Sequence, residues 1–150
     1  MNASTLIYAI LAALAGSCIA LQATANSAFR RNLESPWFAA FFSICGTILT
    51  ASLFMVIYRP SAPTWEQLRN TSWWNWIGGP LGAMIVLAGA ALVQRLGAAP
   101  FIALVVAGQL ICSMLLDHFA LMNLQENPIT FGRVLGAILV VAGVVCIKYL

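Results

Sequence analysis

Residues 6–29 read LIYAILAALAGSCIALQATANSAF, twenty-four consecutive positions without Asp, Glu, Lys or Arg. About 20 such residues, rising 1.5 Å each as a helix, cross a hydrocarbon core roughly 30 Å thick. The pattern recurs along the chain. Its eleven charged residues are Arg30, Arg31, Glu34, Arg59, Glu66, Arg69, Arg95, Asp117, Glu126, Arg133 and Lys148, and they leave charge-free intervals of 29, 24, 25, 21 and 14 residues. The last interval reaches spanning length if Phe131 and Leu150 are included and Arg133 and Lys148 extend toward opposite interfaces. The expectation is an all-α integral membrane chain, a single domain over residues 1–150 with five transmembrane helices at about 6–29, 37–58, 74–94, 98–116 and 131–150.

Composition agrees. The 150 residues are 62% hydrophobic and 7% charged, with mean hydropathy +0.94, whereas a soluble chain is typically about 25% charged. Five spans of roughly 20 residues use about 100 positions and leave only short connections. This argues against a soluble enzyme, a nucleic-acid binder and a receptor ectodomain. The net charge of +3 sits at span ends, where it anchors helices at the interface and forms no basic patch for nucleic acid. No Lys or Arg precedes the first apolar run, which is too long for a signal-peptide core, so no cleaved leader is expected. Cys18, Cys45, Cys112 and Cys146 all fall inside spans without metal-ligand spacing and read as small packing residues.

An odd number of spans sorts the basic residues into two sets. Arg59, Arg69 and Arg133 fall on one side, and Arg30, Arg31, Arg95 and Lys148 on the other. Orientation follows an excess of Lys and Arg on the cytoplasmic side, and three against four is nearly none. Either other cues set the topology or the chain inserts both ways. Dual insertion would permit an antiparallel dimer, the inverted symmetry on which many alternating-access transporters are built.

Tryptophans mark the boundaries: Trp37 opens the second span, and Trp65, Trp73, Trp74 and Trp76 lie on or before the third. After Trp76 comes Gly78-Gly79-Pro80-Leu81-Gly82, where a proline disfavours helix at Gly79 and the glycines leave backbone open to close approach. A short irregular start to the third span is expected, serving helix packing or a hinge. In the last span Gly132, Gly136 and Gly143 return to nearly one azimuth and form a groove for close helix contact, within the bundle or against a second copy.

Polar residues inside spans carry the functional signal, because each needs a partner or a wet cavity. Gln22 and Asn26 share one face of the first span, and Gln109 and Ser113 one face of the fourth, with Asp117 four further on. Gln22 lies eight residues before Arg30 and Gln109 eight before Asp117. Each amide is thus about 12 Å inside a boundary, near the midplane where secondary transporters hold substrate. Two readings compete: interhelical glue contributing about 0.5–2 kcal/mol each, or the lining of a polar translocation cavity. With no charge at mid-depth, the cavity would suit a small hydrophilic, uncharged or weakly charged molecule. Asp117 and Arg133 fall on the same side, where they form an ordinary ion pair or, with His118, a gating or proton-coupling group. No span carries a paired acid, a Ser-His arrangement or a metal cluster, so neither catalytic residues, metal nor cofactor are expected.

These residues also resemble a family. Ala107-Gly108-Gln109-Leu110-Ile111-Cys112-Ser113, then Asp117-His118-Phe119, Pro128, Arg133, Gly136 and Gly143, look like the YdcZ type of small bacterial membrane protein. Leu14-Ala15-Gly16, Gln22, Asn26, Pro36, Gly46 and the Trp76–Ala83 run match as well, so the likeness covers essentially the whole chain. Ala120 departs from it, standing where the family usually has glycine. The resemblance implies membership of the drug/metabolite transporter superfamily, whose larger members carry ten helices in two inverted five-helix halves. It implies a bacterial inner-membrane location and a chain forming one half, paired with an antiparallel copy or a sister subunit. The function it implies is a secondary transporter. The alternatives are a non-transporting partner subunit, or an exporter like the small multidrug-resistance proteins, which use a buried first-helix glutamate where the first span here carries Gln22 and Asn26 and no acid. The partners implied are membrane lipid, that second subunit and a small-molecule substrate.

Overall fold

The computed structural model describes residues 2–149, and the expected inclusion of Leu150 in the last span lies outside them. Five of its helices are long and apolar enough to cross a membrane. The chain is therefore all-helical and multi-pass, as backbone groups in lipid require when they must be satisfied within one segment. The described residues form two compact units that meet in sequence between Arg95 and Leu96, and each is described by itself.

The first unit opens with α1, Ala3–Leu33, capped by the Asn2 side chain, which accepts from the Thr5 N–H at 3.0 Å. The helix continues past the charge-free run through Arg30 and Arg31, because cations in a last turn complement the helix dipole. Glu34 ends it in left-handed conformation, φ 53°. Ser35 then caps α2, Pro36–Tyr58, with Pro36 at the first position, where a missing N–H costs nothing. So short a turn folds α2 back along α1 as a helical hairpin. Ala39 and Ala40 are buried beyond the turn, and the Phe29 and Phe42 ring centroids lie 5.9 Å apart. Neither the first half of α1 nor the last half of α2 has a buried residue, so their apolar side chains face outward from the chain.

Between α2 and the third span lies a short helix, α3, Trp65–Arg69, closed by a capping box between Thr64 and Gln67. A 3₁₀ turn at Trp73–Trp76 then leads into α4, Gly78–Leu96. The irregular entry thus precedes Gly78. Pro80 itself lies inside the first turn of α4, where it removes no helical hydrogen bond.

In the second unit Gly97, at φ +88°, makes the joint before α5, Ala98–His118. A connection of twelve residues leads to α6, Phe131–Tyr149, which packs along α5. The four cysteines are free and exposed among the described residues.

Candidate functional site

Residues of α1 and α4 meet along a narrow seam. A β-carbon placed on Gly89 would lie 3.2 Å from that of Ala23, so the backbones approach as closely as small residues allow. One turn further along α1, the contacts become polar and reciprocal. Gln94 Nε2 donates to the Ser27 carbonyl at 2.6 Å, and Arg30 Nη1 donates to the Ala91 carbonyl at 2.8 Å. Each helix thus offers a side chain to the other's backbone, where a carbonyl already accepting a helical N–H has a second lone pair free. Asn26 lies in the same stretch, 6% exposed, and its Nδ2 finds no acceptor among the described residues. Gln22, one turn earlier, is uncovered by the chain and likewise has no side-chain hydrogen bond among them.

In the second unit Gln109 is uncovered and without a side-chain hydrogen bond among the described residues, while the Ser113 hydroxyl donates to the Leu110 carbonyl at 3.0 Å. Ser113, Arg133 and Gly136 line a common groove of about 330 Å³ between α5 and α6. Gln109 is outside that lining, one turn back on the same helical face. On another side of the α5–α6 contact, Ile111, Val134, Ile138 and Val141 border an almost wholly apolar cavity of about 460 Å³.

The end of α5 is tied to the start of α6. Arg133 Nη2 bonds Asp117 Oδ2, and its Nη1 donates to the Asn127 carbonyl at 2.7 Å. The Asp117 carbonyl accepts the Asn127 N–H at 2.9 Å, and His118 Nδ1 accepts the Ile129 N–H at 3.4 Å. Asp117, His118 and Arg133 are therefore one cluster. Its chemistry is to fix the 119–130 connection against both helix ends.

The glycines behave differently from their spacing. A β-carbon on Gly78, Gly79, Gly82, Gly132, Gly136 or Gly143 would meet nothing within 4 Å among the described residues, so none makes a close helix contact within its own unit. The glycine that does is Gly89, in the unmarked stretch Val86-Leu87-Ala88-Gly89-Ala90-Ala91. Trp76 donates from Nε1 to Thr71 Oγ1 at 3.0 Å, pinning the 3₁₀ turn. Arg30 and Gln94 are further functional candidates that sequence reasoning passes over. Arg30 has the position of an interface anchor, and Gln94 lies beside Arg95, where an amide looks interfacial.

Comparison with known proteins follows the same lines. The family described as "Putative inner membrane exporter, YdcZ" matches residues 7–146. The "Inner membrane protein YdcZ" of Escherichia coli (strain K12) is 36% identical over 101 residues, covering 67% of this chain and 66% of that protein. The chain thus spans just under two thirds of the length of that curated relative. No solved structure matches.

Proposed function

Because the chain belongs to the YdcZ family of multi-pass inner-membrane proteins, we propose that it is a secondary transporter. It carries a small polar metabolite or drug-like molecule by alternating access, as an antiparallel pair with a second copy or a sister subunit. The family's description as an exporter supports transport over catalysis.

The observation that carries this reading is the state of the amides. Gln22 and Gln109 stand uncovered in apolar spans with no hydrogen-bond partner among the described residues. Leaving a polar amide unsatisfied in hydrocarbon costs roughly 4–8 kcal/mol, so both require water, substrate or a second subunit. A site between subunits provides all three in turn. Its groups would be Gln22, Asn26, Gln109 and Ser113, neutral donors and acceptors, with Asp117, His118 and Arg133 holding the α5–α6 connection at one gate.

The second reading, a non-transporting partner subunit, draws support from the open glycine surface at Gly132, Gly136 and Gly143. A thermal-shift screen of metabolites on the purified protein separates the two. Transport predicts a stabilising metabolite whose effect disappears in Gln22→Ala or Gln109→Ala while the oligomer stays folded. A response unchanged in both variants removes the site. Failure of every metabolite, with co-purification of another membrane protein, favours the partner reading.

A further inference from the structure

At the α1–α4 seam, hydrogen-bond donors gather without an acid. Arg30 is half-buried and spends one N–H on the Ala91 carbonyl. Among the described residues it forms no ion pair, the salt bridge present being that of Arg133 with Asp117. A carbonyl is a good acceptor but neutralises no charge, and a guanidinium has five N–H groups to satisfy. One turn back on the same helical face, Asn26 is 6% exposed with Nδ2 unpartnered. From α4, Gln94 reaches across with Nε2, which has one N–H engaged by Ser27. Arg31 and Arg95 follow at the ends of these two helices, which run in the same direction as first and third spans. The formal charge there is therefore positive, offset by Glu34 and in part by the negative ends of the α1 and α4 dipoles.

A partly desolvated guanidinium without a carboxylate is left able to bind an anion, which gains a charge-assisted bond there. Arginine's planar fork matches the two oxygens of a carboxylate or phosphate, and flanking amide donors take further oxygens. We propose that Asn26, Arg30 and Gln94 form an anion-binding site at this end of the α1–α4 seam. Its ligand is a carboxylate or phosphate group, with Arg30 supplying the charge and the two amides the orientation. The same chemistry is offered by an anionic lipid headgroup and by an anionic solute. The proposal goes beyond the transport reading and shares Asn26 with it, but its test does not rest on transport, since binding is measured directly.

The test uses the full chain in neutral detergent. Thermal unfolding is followed with inorganic phosphate or acetate against chloride at equal ionic strength, and with mixed micelles containing phosphatidylglycerol against phosphatidylcholine. At least one anionic probe should raise the wild-type midpoint by roughly 3–6 °C near saturation. Arg30→Gln should lose most of that shift, and Arg31→Gln, its uncovered neighbour, should keep it. Stabilisation by phosphate or acetate identifies a solute site, and stabilisation by phosphatidylglycerol alone a lipid site. Should Arg30→Gln fail to fold, Gln94→Leu and Arg30→Lys, which leave the charge but remove an amide or the planar fork, should both reduce the shift. The proposal is overturned if no anionic probe stabilises the wild type, or if the Arg30 and Gln94 variants respond as the wild type does.

Discussion

Gly89 and Ala23 bring the backbones of α1 and α4 together, with little room for even a methyl group: an added β-carbon would lie 3.2 Å from Ala23 Cβ and 3.3 Å from its Cα. In lipid, apolar surface gives no drive for helices to associate, so close packing and interhelical hydrogen bonds must hold the seam. The Gln94–Ser27 and Arg30–Ala91 contacts depend on that approach.

Replacing Gly89 should therefore depend sharply on size. Gly89→Ala crowds Ala23 by a few tenths of an ångström but gains up to about 1 kcal/mol in helix propensity, and should be near neutral. Gly89→Leu must push the helices apart and should cost about 1–3 kcal/mol. Denaturant unfolding in detergent micelles measures both. A leucine variant as stable as wild type would mean that the approach does not exist.

Ala120 occupies left-handed backbone, φ 47° and ψ 37°, immediately past the end of α5. Its N–H bonds the Asp117 carbonyl at 3.4 Å, one of the two bonds of a Schellman cap. Left-handed backbone favours glycine, because a β-carbon in this region costs roughly 1 kcal/mol. Ala120→Gly should raise stability by about 0.5–1 kcal/mol, read as a higher unfolding midpoint, and a lower midpoint would count against the turn.

Span number is legible in the sequence because charge is expelled from hydrocarbon at a cost that few residues evade, so the gaps between charges mark the bilayer. Helix rotation is not legible in the same way. A span apolar on every side has no polar face to aim, and so Gly132, Gly136 and Gly143 share an azimuth yet meet nothing, while Gly89 makes the contact without any spacing to announce it. Arg30 illustrates the same gap. Its place at a span end matches that of Arg31, but one is half-buried against α4 and the other uncovered, and only the rotation of α1 separates them. Asp117 and Arg133 are legible as a pair, being charges at facing ends of consecutive spans.

Within that pair the two partners are unequal. Arg133 holds both Asp117 and the Asn127 carbonyl, whereas Asp117 also engages Asn127 through its backbone, which substitution leaves intact. The side chains are 33% and 28% exposed, so solvent weakens the ion pair. Arg133→Ala should cost about 1–2 kcal/mol and Asp117→Asn less than about 1. Arg133→Ala should also speed proteolysis within residues 119–130. Equal damage from both variants would show that the ion pair alone, and not the Asn127 contact, secures the connection.

The charge balance leads to the last prediction. Arg59 caps α2, Arg69 ends α3 and Arg133 lies in the first turn of α6, while Arg30, Arg31, Arg95 and Lys148 lie in the last turns of α1, α4 and α6. Three against four leaves the positive-inside signal almost cancelled. Reporters active on opposite sides of the membrane, fused to the C-terminus, should both give signal. Three lysines added to the connection between α2 and α3 should drive that side cytoplasmic and silence one reporter, and three added at the Glu34–Ser35 turn should silence the other. If antiparallel pairing underlies the function, either biased form alone should lose the metabolite-induced stabilisation, and co-expressing the two should restore it. Signal from a single reporter in the unmodified chain would rule out dual insertion and leave a sister subunit as the antiparallel partner.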